Sequence, residues 1–292
     1  MAKKSLTKAW LTGARLRTLP LAVTPVLLGA ASAQTSGRLN LTLTLLAAAV
    51  ALLLQIGVNY ANDYSDGIRG TDANRVGPTR ITASGLVRPK SVKLAAFISF
   101  ALAAIAGLAI TWLTGYYWFI AVGLVCIIAA WYYTGGKHPY GYAGLGELAV
   151  FVFFGLVATI GTSFIQEGIV NPIAVLLGVS SGFFASAVLM VNNLRDIETD
   201  RIAKKRTLAV KVGKSGAKFL FFVMLWLPVV VHALAVLLIP KALISYAAIF
   251  LIAPTTLIVA TAKTAKELIL ALKLTSFAAL VYALFTLLSV LI

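Results

Sequence analysis

Charge is scarce in this chain, and negative charge scarcer still: 12% of its 292 residues are charged, with 9 acidic side chains against 25 Lys and Arg. An ordinary soluble domain is about 25% charged and about 45–50% apolar. An apolar content of 60% with a mean hydropathy of +0.95 therefore excludes a water-soluble globular fold. The single cysteine, Cys126, excludes an intrachain disulfide and a cysteine-rich metal site. It lies in an apolar run and reads as an inert core thiol. There is no Walker loop, no HExxH and no Gly-x-Ser-x-Gly, which removes the sequence support for an ATPase, a zinc protease or a serine hydrolase.

What the sequence has instead is long apolar runs. Each membrane crossing needs about 20 apolar residues, and runs at about 18–36, 40–61, 93–113, 116–134, 145–165, 171–192, 217–238, 242–261 and 271–292 supply nine. The expected fold class is all-α: one polytopic membrane unit over residues 1–292 with about nine transmembrane helices and no appended soluble domain. The first run ends in Ala31-Ser32-Ala33 after a basic start, which imitates a signal-peptide cleavage site. Pro20 and Pro25 interrupt it and eight runs follow, so a retained first helix is expected.

Nine spans place the termini on opposite sides. Of the 25 basic residues, all but Arg38 and Lys241 fall in the amino-terminal segment or in loops after the second, fourth, sixth and eighth runs. The positive-inside rule makes that face cytoplasmic. The amino terminus and the large loops are expected there, with the carboxy terminus opposite. In a soluble protein a +16 balance would suggest nucleic acid; here it sets topology.

Six of the nine acids form two short clusters on that same face. Asp63, Asp66 and Asp72 follow the second run, and Asp196, Glu198 and Asp200 follow the sixth. Carboxylates at membrane depth are costly and usually functional. Each cluster sets Asn four residues before Asp, at Asn62/Asp66 and Asn192/Asp196, which stacks both side chains on one helix face. Asp200 adds a third layer. Oxygen ligands of this kind suit magnesium or calcium, and magnesium is typically shared between one or two carboxylates and a substrate phosphate. Facing acidic patches among many bases thus suggest a metal-bridged diphosphate site; ordinary polar helix ends are the plainer alternative.

At these residues the chain resembles the UbiA-type intramembrane prenyltransferases, whose two aspartate-rich motifs match Asn62-Asp63-x-x-Asp66 and Asn192-x-x-x-Asp196-x-x-x-Asp200. Within that superfamily, Arg17-Thr18-Leu19-Pro20-Leu21, the stretch from Gly135 through Tyr142 with Gly144-Leu145-Gly146-Glu147, and Asn192-Asn193-Leu194-Arg195-Asp196 are similar to the branch acting on 1,4-dihydroxy-2-naphthoate in menaquinone biosynthesis. The chain departs from the commonest pattern at Gly70, where a second Asp is usual, the next acid being Asp72. The resemblance implies nine helices around a central cavity capped by cytoplasmic loops. It also implies Mg2+ held by both motifs, a polyprenyl diphosphate donor, an aromatic acceptor, and a bacterial inner or plasma membrane. The implied reaction is prenyl transfer with loss of pyrophosphate and carbon dioxide, giving a demethylmenaquinol.

On this reading Asn62, Asp66, Asp72, Asp196 and Asp200 are the expected metal-binding set, with Asp63 beside them. Arg69, Arg75 and Arg80 are candidates to clamp the diphosphate, or are topology-setting charge. Lys137 is expected to bind diphosphate or the acceptor's carboxylate, and Asn192 and Arg195 to bind substrate, although Arg195 could simply balance Asp196 or Glu198. Tyr140, with Tyr132, Tyr133 and Tyr142, either stabilises an allylic cation through its ring face or belongs to an interfacial belt. Lys204, Lys205 and Arg206 read as solvated charge. His138 reads as a loop residue and His232 as structural. The rival classes are a prenyltransferase with another acceptor, such as 4-hydroxybenzoate or homogentisate, a secondary transporter, and a phosphotransferase acting on nucleotide-linked lipid alcohols. Transporter acids usually lie near the bilayer midplane, and the Ala-Arg pair that should follow Asp66-Gly67 in the phosphotransferase motif is absent.

Overall fold

The computed structural model describes residues 2–71 and 80–292, with side chains from Leu6 onward. Among them there is no β-strand, as expected where lipid supplies no partner for an open backbone hydrogen bond. The chain runs through α1 (Ala2–Ala14), α2 (Pro20–Thr35), α3 (Leu41–Arg69), α4 (Pro89–Thr114) and α5 (Phe119–Tyr132). It continues through α6 (Gly146–Glu167), α7 (Pro172–Arg195), the short α8 (Ile197–Ile202), α9 (Leu208–Leu238), α10 (Pro240–Thr261) and α11 (Glu267–Leu291).

Every expected apolar run becomes helical, but not every one has the length of a span. Seven of the described helices are long and apolar enough to cross a membrane, and the pair Leu6–Thr18 and Pro20–Thr35, bent by 44°, makes an eighth if counted as one. The expected fourth span is only the 14-residue α5, about 21 Å of helix against a hydrocarbon layer of about 30 Å. Against the expected nine, seven or eight of the described helices meet the length of a span. The chain is a multi-pass membrane protein either way.

α7 is the central helix: 67% of its most apolar window is buried, against 28–44% in the other spans. It packs on α2, α6, α9 and α11, and its Phe184, Val188, Val191 and Leu194 join Leu28, Phe221, Ile252 and Tyr282 in the larger core cluster. Lipid is as apolar as these side chains, so helix association rests on close packing instead. Gly155 illustrates it: a Cβ there would lie 2.5 Å from Gly182 Cα and 2.7 Å from the Gly178 carbonyl oxygen. The backbone beside it, Phe151–Val157, is π-helical. A smaller cluster joins α1, α3 and α4 through Tyr60, Ile81, Val92 and Phe100.

Two helices outrun their apolar stretches, and that extension builds the site. α3 continues through the polar residues Asn62 to Arg69 and stops at Gly70, whose φ of 72° is left-handed. α7 continues through Asn192 and Asn193 to Arg195.

Candidate active site

One face of α3 carries Ala51, Gln55, Asn59, Asn62 and Asp66, and one face of α7 carries Ala185, Leu189, Asn192 and Asp196, with Asp200 on α8 beyond it. All of these line a single cavity of about 260 Å³. Steps of three or four residues keep each set on one stripe. Along α3 the stripe runs about 22 Å from Ala51 to Asp66. It passes from hydrocarbon through amides to a carboxylate, as the α7 stripe does. Leu21, Leu54, Val58, Phe153, Phe154 and Val188 line the apolar part of the cavity, whereas Arg80, Thr71, Tyr142, Thr199 and Lys205 join the carboxylates. α3 packs on α4 and α2, and α7 on α9, α6 and α11, so the two motifs meet across the cavity.

Asp66 is buried, and its carboxylate gathers three elements. Tyr142 Oη donates to Oδ1 at 2.5 Å. Lys205 Nζ donates to Oδ2 at 3.0 Å, and Arg80 stands 3.8 Å from the same oxygen. Burial, reinforced by the Asp66 charge, pushes the Tyr142 phenol above its ordinary value, so Tyr142 remains a donor. Tyr140, whose hydroxyl donates to the Ala129 carbonyl at 2.8 Å, is pushed up to about 12 by burial. Asn62 accepts from the Thr134 hydroxyl at 2.7 Å.

The turn between α5 and α6 is fixed by these same contacts. Arg69 donates to the carbonyls of Thr134 and Gly136. Arg206 N donates to the Tyr142 carbonyl at 3.0 Å, and Lys211 Nζ to the Ala143 carbonyl at 2.5 Å. Gly136 and Gly144, at φ 74° and 78°, supply the left-handed bends the turn requires.

In the second motif, Arg195 grips Asp196 with both arms, Nε to Oδ1 at 2.7 Å and a terminal nitrogen to Oδ2 at 2.6 Å, and also reaches Asn192 Oδ1 at 2.9 Å. This buried bidentate pair fixes the carboxylate's direction.

The structure brings Asn62, Asp66, Arg80, Tyr140, Asn192, Asp196 and Asp200 together on one cavity. It does not bring in the others. Asp63 is buried but turned away, with Oδ2 accepting from Ile81 N at 3.1 Å and Oδ1 from Thr82 N at 2.8 Å. Both oxygens are committed to anchoring the segment that carries Arg80. Lys137 is exposed at the tip of its turn and is not among the cavity's lining residues. Arg69 serves the α5–α6 turn and lines a neighbouring surface pocket with Lys204. Arg195 acts through Asp196 and Asn192. Asp72 and Arg75 lie outside the described residues.

Two residues that the sequence did not single out belong to the site. Lys205 reads as solvated charge in the sequence, yet it reaches Asp66 across 139 positions. Arg15, with a left-handed backbone at φ 54°, lines the cavity beside Gln55, Asn59 and Tyr133. Only that conformation marks it, and sequence does not reveal it.

The donor set suits a hard cation, because the two motifs present carboxylate and amide oxygens. Among the described residues, no three acidic, His or Cys side chains form a group that could hold a metal ion. A metal here would therefore be completed by oxygens from a bound anion, the arrangement typical of magnesium. An ammonium, that of Lys205, already stands against Asp66, so the carboxylate does attract a cation.

The sequence of the UbiA prenyltransferase family matches residues 22–277. The chain is 47% identical over 275 residues to 1,4-dihydroxy-2-naphthoate octaprenyltransferase of Mycobacterium tuberculosis, covering 94% of each chain. It is 40% identical to the enzyme of the same name from Escherichia coli over 220 residues, 73% of this chain and 71% of that one. Its fold is similar to an apo UbiA homologue from Aeropyrum pernix, with a TM-score of 0.72 at 15% identity over 91% of this chain and 97% of that one. It is also similar to a UbiA homologue from Archaeoglobus fulgidus bound to GPP and Mg2+, with a TM-score of 0.65 at 17% identity over 95% and 99%. A match over most of the length, together with the paired Asn/Asp stripes on one cavity, leaves one assignment: the chain belongs to the UbiA prenyltransferase family.

Proposed function

We propose that this protein transfers a polyprenyl group from polyprenyl diphosphate to 1,4-dihydroxy-2-naphthoate, with Mg2+ as its cofactor. The observation that carries the reading is the two-ended cavity. Its apolar walls suit a prenyl chain, and its polar end collects carboxylates, amides, Lys205 and Arg80 where a diphosphate would sit. The naphthoate acceptor is supported by the identity to the mycobacterial and Escherichia coli enzymes.

In this reading Asp66, Asp196 and Asp200, with Asn62 and Asn192, hold the metal, and Arg195 and Tyr142 orient the carboxylates that do so. Bound Mg2+ supplies Lewis-acid neutralisation of the departing diphosphate. Lys205 and Arg80 add charge-assisted hydrogen bonds to the diphosphate oxygens. The allylic C–O bond breaks and its electron pair leaves with the diphosphate. The electron-rich ring carbon of the acceptor then forms the new C–C bond to the prenyl carbon. That ring carbon also bears the carboxylate; the C–CO2 bond breaks, its electron pair restores the aromatic ring, and carbon dioxide departs. The Phe153 and Phe154 side chains exclude water from the cavity, and Tyr133 and Tyr140 line it with them. Arg15, which lines the same cavity, would pair with the acceptor's carboxylate. The charge split of the loops supports a cytoplasmic amino terminus and active-site end, with the carboxy terminus opposite, in a bacterial plasma membrane.

The test is acceptor competition. Purified protein in detergent, with Mg2+ and radiolabelled polyprenyl diphosphate, receives 1,4-dihydroxy-2-naphthoate, 4-hydroxybenzoate or homogentisate. Lipid-soluble label should form with the naphthoate and disappear on chelation and in Asp66→Ala and Asp196→Ala. Product with another acceptor alone would keep the prenyl donor and replace the acceptor. No product and no diphosphate binding by folded protein would refute the reading.

A further inference from the structure

Lys205 is placed by one motif and aimed at the other. α8 ends in a paired turn: Lys204 N donates to the Arg201 carbonyl at 3.1 Å and Lys205 N to the Asp200 carbonyl at 2.8 Å. Lys204 takes the left-handed position, at φ 56°. This is the Schellman arrangement, which normally has glycine there. It fixes the Lys205 backbone to the carbonyl of Asp200 in the second motif and sends its side chain to Asp66 in the first, 3.0 Å away. The ammonium is largely buried and lies 4.7 Å from the centre of the Tyr142 ring. Among the described residues, the groups facing Asp66 are the Tyr142 hydroxyl, Lys205 and Arg80. Of these, the Lys205 Nζ is the full charge within hydrogen-bond distance.

We propose that Lys205 is a placeholder cation that couples metal loading to diphosphate loading. Without substrate its ammonium neutralises Asp66 and competes with Mg2+ for that carboxylate. When metal and diphosphate arrive together, the ammonium leaves Asp66 and hydrogen-bonds a diphosphate oxygen, which its flexible four-carbon stem permits. The metal is thereby held weakly until the anion is present. Lys205 in this account acts on substrate directly and is a catalytic residue. The inference rests on the proposed metal–diphosphate reading of the cavity.

Two affinities that move in opposite directions test it. Mn2+, a spectroscopic stand-in for Mg2+, is titrated alone and then with inorganic pyrophosphate into the full-length protein in detergent. Bound metal is read by electron paramagnetic resonance for the parent, Lys205→Met and Lys205→Arg. A charge-assisted hydrogen bond lost on each side corresponds to about a tenfold change. Lys205→Met should bind Mn2+ alone about tenfold more tightly and pyrophosphate, at saturating Mn2+, about tenfold more weakly. Lys205→Arg should retain weak metal binding and recover most of the pyrophosphate affinity. If Lys205→Met is unchanged or weakened for metal alone, the placeholder role is overturned while the metal–diphosphate site stands. If the folded parent binds no Mn2+–pyrophosphate, the functional reading falls and this inference with it. Melting curves of the metal-free variants separate either result from misfolding.

Discussion

Asp63 and Asp66 are three residues apart on α3, and the structure turns them to different partners: Asp63 to the backbone of Ile81 and Thr82, Asp66 to Tyr142 and Lys205. In Asp63→Asn, one of the two acceptors that hold Ile81 N and Thr82 N becomes an amide NH2 facing a backbone donor. A hydrogen bond to a charged group contributes about 1.5–3 kcal/mol, so losing one and setting donor against donor costs about 3 kcal/mol. Ile81 is packed into the α1–α3–α4 core, which couples that loss to the fold. For a chain of this size about 3 kcal/mol lowers Tm by about 6 °C or more. The assay is thermal unfolding in detergent, with trypsin cleavage after Arg80 as a local probe and Asp66→Asn beside it. Asp63→Asn should melt early and be cut faster while retaining part of its kcat. Asp66→Asn should lose at least about 100-fold in kcat, the scale of removing one electrostatic contact to the transition state. A variant Asp63→Asn that melts like the parent but falls as far in kcat as Asp66→Asn would refute the anchoring role and return Asp63 to the metal set.

Further outcomes follow from individual contacts. Tyr142→Phe removes the 2.5 Å donor that orients Asp66 and should raise the Mg2+ concentration for half-maximal activity by about tenfold, read in a metal titration at saturating substrates. Because burial and Asp66 push the Tyr142 phenol up, its neutral form stabilises the fold fully below the ordinary tyrosine value of about 10. That contribution is lost as pH rises through the raised value. Unfolding of the parent should therefore become more pH-sensitive than that of Tyr142→Phe only above about pH 10. Gly155→Ala forces a methyl into the Gly178–Gly182 contact and should cost about 1–3 kcal/mol by overpacking, seen as a lower Tm. Arg15→Ala should raise KM for the acceptor and leave KM for the diphosphate unchanged in steady-state assays.

The helices were legible because apolar length is the dominant signal in a chain that must satisfy its backbone inside lipid. The extensions of α3 and α7 past their apolar stretches were less so, yet the Asn/Asp spacing already placed Asn62 with Asp66 and Asn192 with Asp196 on single faces. Asp63 shows the limit: acids three residues apart on one helix point only about 60° apart, and which one faces the cavity depends on the neighbouring loop. By length, seven or eight of the described helices qualify as spans against nine apolar runs, because a run such as 116–134 carries turns at both ends that hydropathy alone does not register, leaving the 14-residue α5. Lys205 and Arg15 escaped because each is aimed by a left-handed backbone at or beside it, a feature with no residue-type signature when Lys or Arg occupies it. Lys137 had the opposite fate, since its isolation in a Gly- and Tyr-rich turn suggested a site and the turn presents it to solvent.

The central claim is a coupled event: one prenyl group arrives as one carboxylate leaves. The most direct measurement supplies purified protein with Mg2+, polyprenyl diphosphate and 1,4-dihydroxy-2-naphthoate labelled in its carboxyl group, and counts released carbon dioxide against prenylated product. The account predicts equal amounts of the two, both abolished by chelation and by Asp196→Ala. Prenylated product that retains the labelled carboxyl group, or carbon dioxide released without prenylation, would contradict it.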